Sequence, residues 1–303
     1  MSDASGKLWN VVRQYKVLVG GLLTMAILLL AVFIYAGMWP PVYVVESESM
    51  QHSDDRSFIG TIDTGDLVIV QSSDGSDVRT YVESYPDGHR TFGDYGDVIV
   101  YERYGWSDYT PIIHRAMLRL EYNSTSSSFD IPSLAGLPAE KWGNGPLEDG
   151  RWWNLTDVVE VYDVGYRSAV LRVDLLELLS FYADHELDHD GIITMGDHNV
   201  REIGGTYIGF YDQYPGAAVC REPVMDEWII GEAKAELPWL GLIKLWVNGN
   251  MPANTPDNSK NALLIVLALV IVVPLAMDMT GLVLQRRGID VWARIRERMR
   301  RKK

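Results

Sequence analysis

Two short stretches carry residue types at spacings that do chemistry. The first is VVESESMQHS, residues 44–53, with Ser47, Ser49 and Met50 standing just beyond an apolar run that ends at Met38. A serine hydroxyl is a weak nucleophile until a neighbouring base takes its proton, so either serine is catalytic only if the fold brings a base to it. The second is HELDH, residues 185–189. It satisfies the His-Glu-x-x-His pattern, in which His185 and His189 one helical turn apart hold zinc and Glu186 serves as general base. A catalytic zinc takes a third protein ligand. The extended motif fails here, because Gly191 falls one residue early and Met195 stands where the third histidine belongs. With Asp184, Asp188 and Asp190 around it, the stretch also reads as a solvated helix end.

The elements that must position these residues begin at the membrane. Residues 17–38 contain 22 residues without a charge, enough to cross a ~30 Å hydrocarbon core at ~1.5 Å per residue. Residues 262–284 form a second apolar run, interrupted only by Pro274 and Asp278. Both predict transmembrane helices. Bulky Trp39-Pro40-Pro41 follows the first run instead of a small-residue cleavage site, so it reads as an uncleaved anchor. Asp278 lies near its helix end and reads as reaching the interface. Lys7, Arg13 and Lys16 precede the first helix and nine Lys and Arg follow the second. That bias predicts cytoplasmic termini at 1–16 and 285–303, with 39–261 outside. The basic tail is expected to lie on anionic membrane lipid.

The outer segment holds 15 basic and 37 acidic residues, a formal charge of −22. That balance argues against nucleic acid as a partner. Cys220 is the sole cysteine, which excludes an internal disulfide and a thiolate metal cluster. Strand signals dominate the segment, as β-branched or alternating runs at 41–47, 66–72, 97–104, 111–122, 158–164, 191–197 and 227–243. Helical spacing is clear only at 173–187. Stretches 71–93 and 122–155 read as long polar loops. The predicted fold class is mainly β: one outer β domain held at both ends by transmembrane helices.

In chain order the outer segment carries SESM at 47–50, TGDLVIV at 64–70, GDVIVYE at 96–102, PIIHRAM at 111–117, GIITMGDHN at 191–199 and REPVMDEWIIGEA at 221–233. In the order of these boxes and their distance from the first helix, the chain resembles the type I signal peptidases, membrane-bound serine proteases that remove signal peptides. The likeness covers roughly 40–122 and 190–245 and leaves an insert at about 122–185 unexplained. Bacterial members carry a lysine base where this chain has His114, so the archaeal and endoplasmic-reticulum branch is the nearer one. The resemblance implies a signal-peptidase-like extracytoplasmic β domain with Ser49 as nucleophile and His114 as general base. It also implies a supporting aspartate, with Ser47 and Met50 on the substrate-binding and oxyanion side of the site. It implies secretory preproteins as substrates, the translocation channel as a partner and no cofactor or metal. For the aspartate two candidates stand. Asp212 orienting His114 with Asp197 shaping the site is favoured; the alternative exchanges their roles. Rival functions are an envelope β domain that has lost catalysis and a zinc protease using HELDH.

Overall fold

The computed structural model describes residues 16–145, 150–217 and 219–286. The basic residues Lys7, Arg13 and those at 287–303, and the side chain of Asp278, lie outside the described residues. Along the chain come α1 (Lys16–Ala36), β1 (Val42–Val44), β2 (Leu67–Ser72), α2 (Tyr81–Ser84), β3 (Arg90–Thr91) and β4 (Asp94–Tyr95). Next are β5 (Val98–Tyr101), β6 (Ile112–Asn123), β7 (Ser128–Asp130), β8 (Trp142–Gly143), β9 (Val158–Val164), β10 (Ala169–Asp174) and α3 (Leu175–His185). Then follow β11 (Gly191–Met195), β12 (Val200–Ile203), β13 (Thr206–Gly209), β14 (Ile229–Leu237), α4 (Gly241–Val247) and α5 (Asp257–Arg286). The protein is mainly β, with an apolar helix at each end. Both helices are long and apolar enough to cross a membrane, with mean hydropathies of 2.4 and 2.2 over their spans.

The main sheet is antiparallel in the order β1-β2-β14-β5-β6-β11, with β7 extending from β6. The second sheet has the order β12-β13-β10-β9-β8, and its β10–β13 pair is parallel. One large core of Leu118, Leu120, Phe129, Val159, Leu171 and their neighbours joins the two. The insert at 122–185 therefore shares a hydrophobic core with the strand that carries His114. It also shares a sheet with the β12–β13 hairpin that follows the GDHN box.

Several expected elements are redrawn. Stretch 122–155 is not a loop: it contains β7, β8 and short 3₁₀ turns that bury Phe129, Ile131 and Leu134. Phe129 and Leu155 exchange backbone bonds of 3.0 and 2.8 Å, pairing too brief to leave a periodic signature. Stretch 71–93 contains α2, whose Thr80 cap and Glu83 form a reciprocal capping box. The helix at 173–187 is shorter at both ends. Asp174 caps it by accepting from the Glu177 N–H, and Glu186 leaves it with a left-handed φ of 55°. The strand at 227–243 stops at Leu237, because Pro238 offers no N–H to the ladder; α4 follows instead. Finally, α5 starts at Asp257, earlier than the apolar run, because its first turn is docked. Asn258 exchanges bonds of 3.0 and 2.8 Å with the Ser57 backbone, and Leu263 packs on Leu242 and Leu245.

Candidate active site

β1 leads into the turn that presents Ser49. The Gln51 N–H donates to the Glu48 carbonyl, closing the turn at 2.9 Å. Met50 drops into the core among Val45, Ile62, Val68 and Val98 and is 1% exposed, while Ser49 is half-buried at the rim of the cleft. The adjacent Ser-Met pair is thus an anchor and a presented hydroxyl. Ser47 is exposed, with its Oγ 3.1 Å from Ser49 Oγ.

His114 stands near the start of β6. Its Nε2 lies 2.8 Å from Ser49 Oγ and its Nδ1 2.6 Å from Asp212 Oδ2. Two donors from the flanking strands reach the same carboxylate oxygen, Tyr101 OH from β5 and Thr194 Oγ1 from β11, each at 2.7 Å. The register explains the convergence. Tyr101 pairs with Ile112 and Thr194 with Ala116, so both stand two residues from His114 on one face of three adjacent strands. The Asp212 N–H donates to the Thr194 carbonyl at 2.8 Å, which fixes the carboxylate over that face. Burial, with the Asp212 charge beside it, pushes the Tyr101 phenol well above its ordinary range. It remains a donor.

Asp197 sits on the other face. Arg115, the next residue of β6, donates to both its oxygens, Nε to Oδ1 at 2.7 Å and Nη2 to Oδ2 at 2.6 Å. His52 Nε2 is 2.9 Å from Oδ2. Burial opposes a charge on Asp197, but the Arg115 guanidinium outweighs it, and with His52 holds the carboxyl well below the usual range. Of the two candidate aspartates, Asp212 contacts His114 and Asp197 contacts Arg115. Between them the GDHN loop packs close to the serine: the His198 N–H donates to the Ser49 carbonyl at 2.8 Å. A Cβ on Gly196 would lie 2.4 Å from that carbonyl and 2.9 Å from His114 Nε2, so only glycine allows the approach.

Ser49 and His114 open onto a cleft of about 870 Å³, with Ser47, Asn199, Arg201 and Phe210 along its walls. The HELDH residues lie elsewhere. Because the helix ends at His185, the two histidines are not one helical turn apart. His185 Nδ1 donates to the Phe181 carbonyl and His189 Nδ1 to the Asp190 carbonyl, at 2.9 and 2.8 Å. No cluster of three or more His, Cys, Asp or Glu suited to a metal occurs among the described residues.

Sequence reasoning missed Tyr101, Thr194, Arg115 and His52. Arg115 carried a usable signal: an arginine in the apolar run PIIHRAM must bring a buried carboxylate with it. As Arg115 and His114 point to opposite faces of one strand, two carboxylates were needed. No protein-family model matches the chain, and no curated protein matches it.

Proposed function

We propose that this chain is a membrane-anchored serine endopeptidase of the signal-peptidase type, cutting signal peptides from exported preproteins outside the membrane. One observation carries the reading, the continuous hydrogen-bonded line from Ser49 Oγ through the His114 ring to Asp212. Neutral imidazole takes the serine proton as Oγ attacks the scissile carbonyl, and Asp212 fixes the tautomer and stabilises the imidazolium. Tyr101 and Thr194 hold that carboxylate in place. The Ser49 N–H and the Ser47 hydroxyl are the donors assigned to the developing oxyanion. His114 then returns the proton to the leaving amine, and water, deprotonated by the same ring, releases the acyl group. No cofactor enters these steps.

The outer edge of β1 runs directly into Ser49 and is the backbone against which an extended substrate adds as a strand. Basic residues beyond both apolar helices support cytoplasmic termini and an extracytoplasmic β domain. Trp39, Trp246 and Val247 are strongly exposed near the helix exits, in keeping with a domain seated at the lipid interface. Substrates would meet the cleft as they leave the translocation channel.

The test is processing of a purified preprotein by the protein in proteoliposomes, with the new N-terminus read by mass spectrometry. Wild type should cut at one bond after small residues and be indifferent to chelators. His114→Ala should be inactive, and combining it with Ser49→Ala should make it no worse, because the pair acts as a unit. Cleavage lost to a chelator and restored by zinc would overturn the serine mechanism.

A further inference from the structure

The insert reaches the proposed nucleophile through one hairpin tip. β9 turns into β10 at residues 165–168, and Tyr166 at the tip lies between two histidines. Its ring stacks on His52, with centroids 4.9 Å apart and planes 13° apart, while the His198 ring lies beyond its hydroxyl, nearly coplanar at 10° with centroids 6.4 Å apart. The Tyr166 hydroxyl is 2.8 Å from His198 Nδ1. Next to it, Arg167 bonds Asp54 at 2.6 Å, and Asp54 lies 3.2 Å from His198 Nε2.

Both histidines bear on the Ser49 turn. His52 belongs to the segment just after Ser49 and ties it to the Asp197–Arg115 pair. His198 holds the turn twice. Its N–H donates to the Ser49 carbonyl at 2.8 Å, and its Nδ1 lies 3.1 Å from the Gln51 carbonyl. The space between the tip and the Asp197–Arg115 pair is only about 10 Å³, room for about one water, so the tip packs closely on its neighbours.

We infer that the β9–β10 tip is a positioning device for the nucleophile. Tyr166 spaces His52 from His198, and that spacing sets the direction of Ser49 Oγ toward His114. This rests on the reading of Ser49 as nucleophile. Tyr166 is a positioning residue, since it acts through the two histidines. Removing its ring lets the turn relax while the cleft walls away from the tip, at Phe210 and Tyr214, stay in place. The loss is therefore one of kcat, and a misplacement near 1 Å costs about 10²-fold.

The experiment measures kcat and KM for preprotein cleavage in proteoliposomes, with thermal melting of each variant, for wild type, Tyr166→Ala, Tyr166→Phe and Ser49→Ala. Tyr166→Ala should lower kcat about 10²-fold with KM within about twofold of wild type. Tyr166→Phe keeps the stack and loses one hydrogen bond, so kcat should fall only about three- to tenfold. If Tyr166→Ala fails to fold, Tyr166→Phe decides: a kcat loss of that size at unchanged KM and melting supports the inference. Wild-type kcat in a folded Tyr166→Ala, or in Tyr166→Phe when the alanine variant does not fold, overturns it. So does damage to KM or melting that accounts for the loss. Ser49→Ala separates the two levels of the argument. Cleavage by that variant removes the serine reading itself, whereas an inactive Ser49→Ala beside fully active Tyr166 variants removes only the role of the tip.

Discussion

At the scale of residues, Asp212 and Asp197 carry the same group and do different work. β6 sends His114 and Arg115 to opposite faces, and each draws one carboxylate. Asp212→Asn should lower the processing rate about 10⁴-fold, because an amide stabilises the wrong imidazole tautomer. Its melting should change little. Asp197→Asn leaves the buried Arg115 guanidinium without its counter-charge, which costs about 3–5 kcal/mol of stability. Its melting temperature should fall sharply, and the molecules that remain folded should retain more activity than Asp212→Asn. Rates and melts of the two variants check this, and the reverse pattern would make Asp197 the partner of His114. Ser49 and His114 were legible as residue types in their boxes. Asp212 was harder to place, because the β12–β13 hairpin lengthens the chain between the GDHN box and the carboxylate. Gly204-Gly205, both at positive φ, marks that turn and could have exposed it.

At the scale of elements, the Gly-Asp boxes act as docking points. A Cβ on Gly65, at φ 95°, would lie 2.1 Å from Leu242 Cδ2, so α4 seats on the TGD turn only because that residue is glycine. Asp66 beside it accepts the N–H groups of Asp63 and Trp239, each at 2.8 Å, tying the turn to the approach of α4. Burial pushes the Asp66 carboxyl up to about 7 despite those two donors, with Asp63 and Glu236 adding to the effect. A carboxyl with a raised folded pKa contributes stability fully present below the unfolded value. That contribution is lost as pH rises from about 4 through about 7. The wild-type protein should therefore melt lower at pH 8 than at pH 5, and Asp66→Asn should narrow that gap. An unchanged gap in the variant would show that Asp66 is not its source. Alternating strands such as β2 and β6 were readable because each has one buried face. α4, β7 and β8 were not, since elements of two to seven residues are fixed by the surfaces they dock on rather than by a period of their own.

At the scale of the whole molecule, two apolar helices flank one β domain that carries most of the acidic residues. α5 is fixed to that domain through Asn258 and Leu263, and α1 ends where the Tyr35 carbonyl accepts from Gln71 at 3.4 Å. If the helices span a bilayer, these joints keep Ser49 at a set height above it. A short extended segment beyond the membrane is then the substrate the cleft can meet. The insert, which had no counterpart in the sequence resemblance, belongs to the same unit through the shared core and the Tyr166 tip. The central claim is that Ser49 is the nucleophile. The most direct measurement is the single-turnover rate of preprotein cleavage by Ser49→Ala in proteoliposomes, with membrane insertion and melting matched to wild type. The account predicts cleavage by wild type and loss of nearly all of it in Ser49→Ala. Cleavage at the wild-type rate by the alanine variant would contradict it.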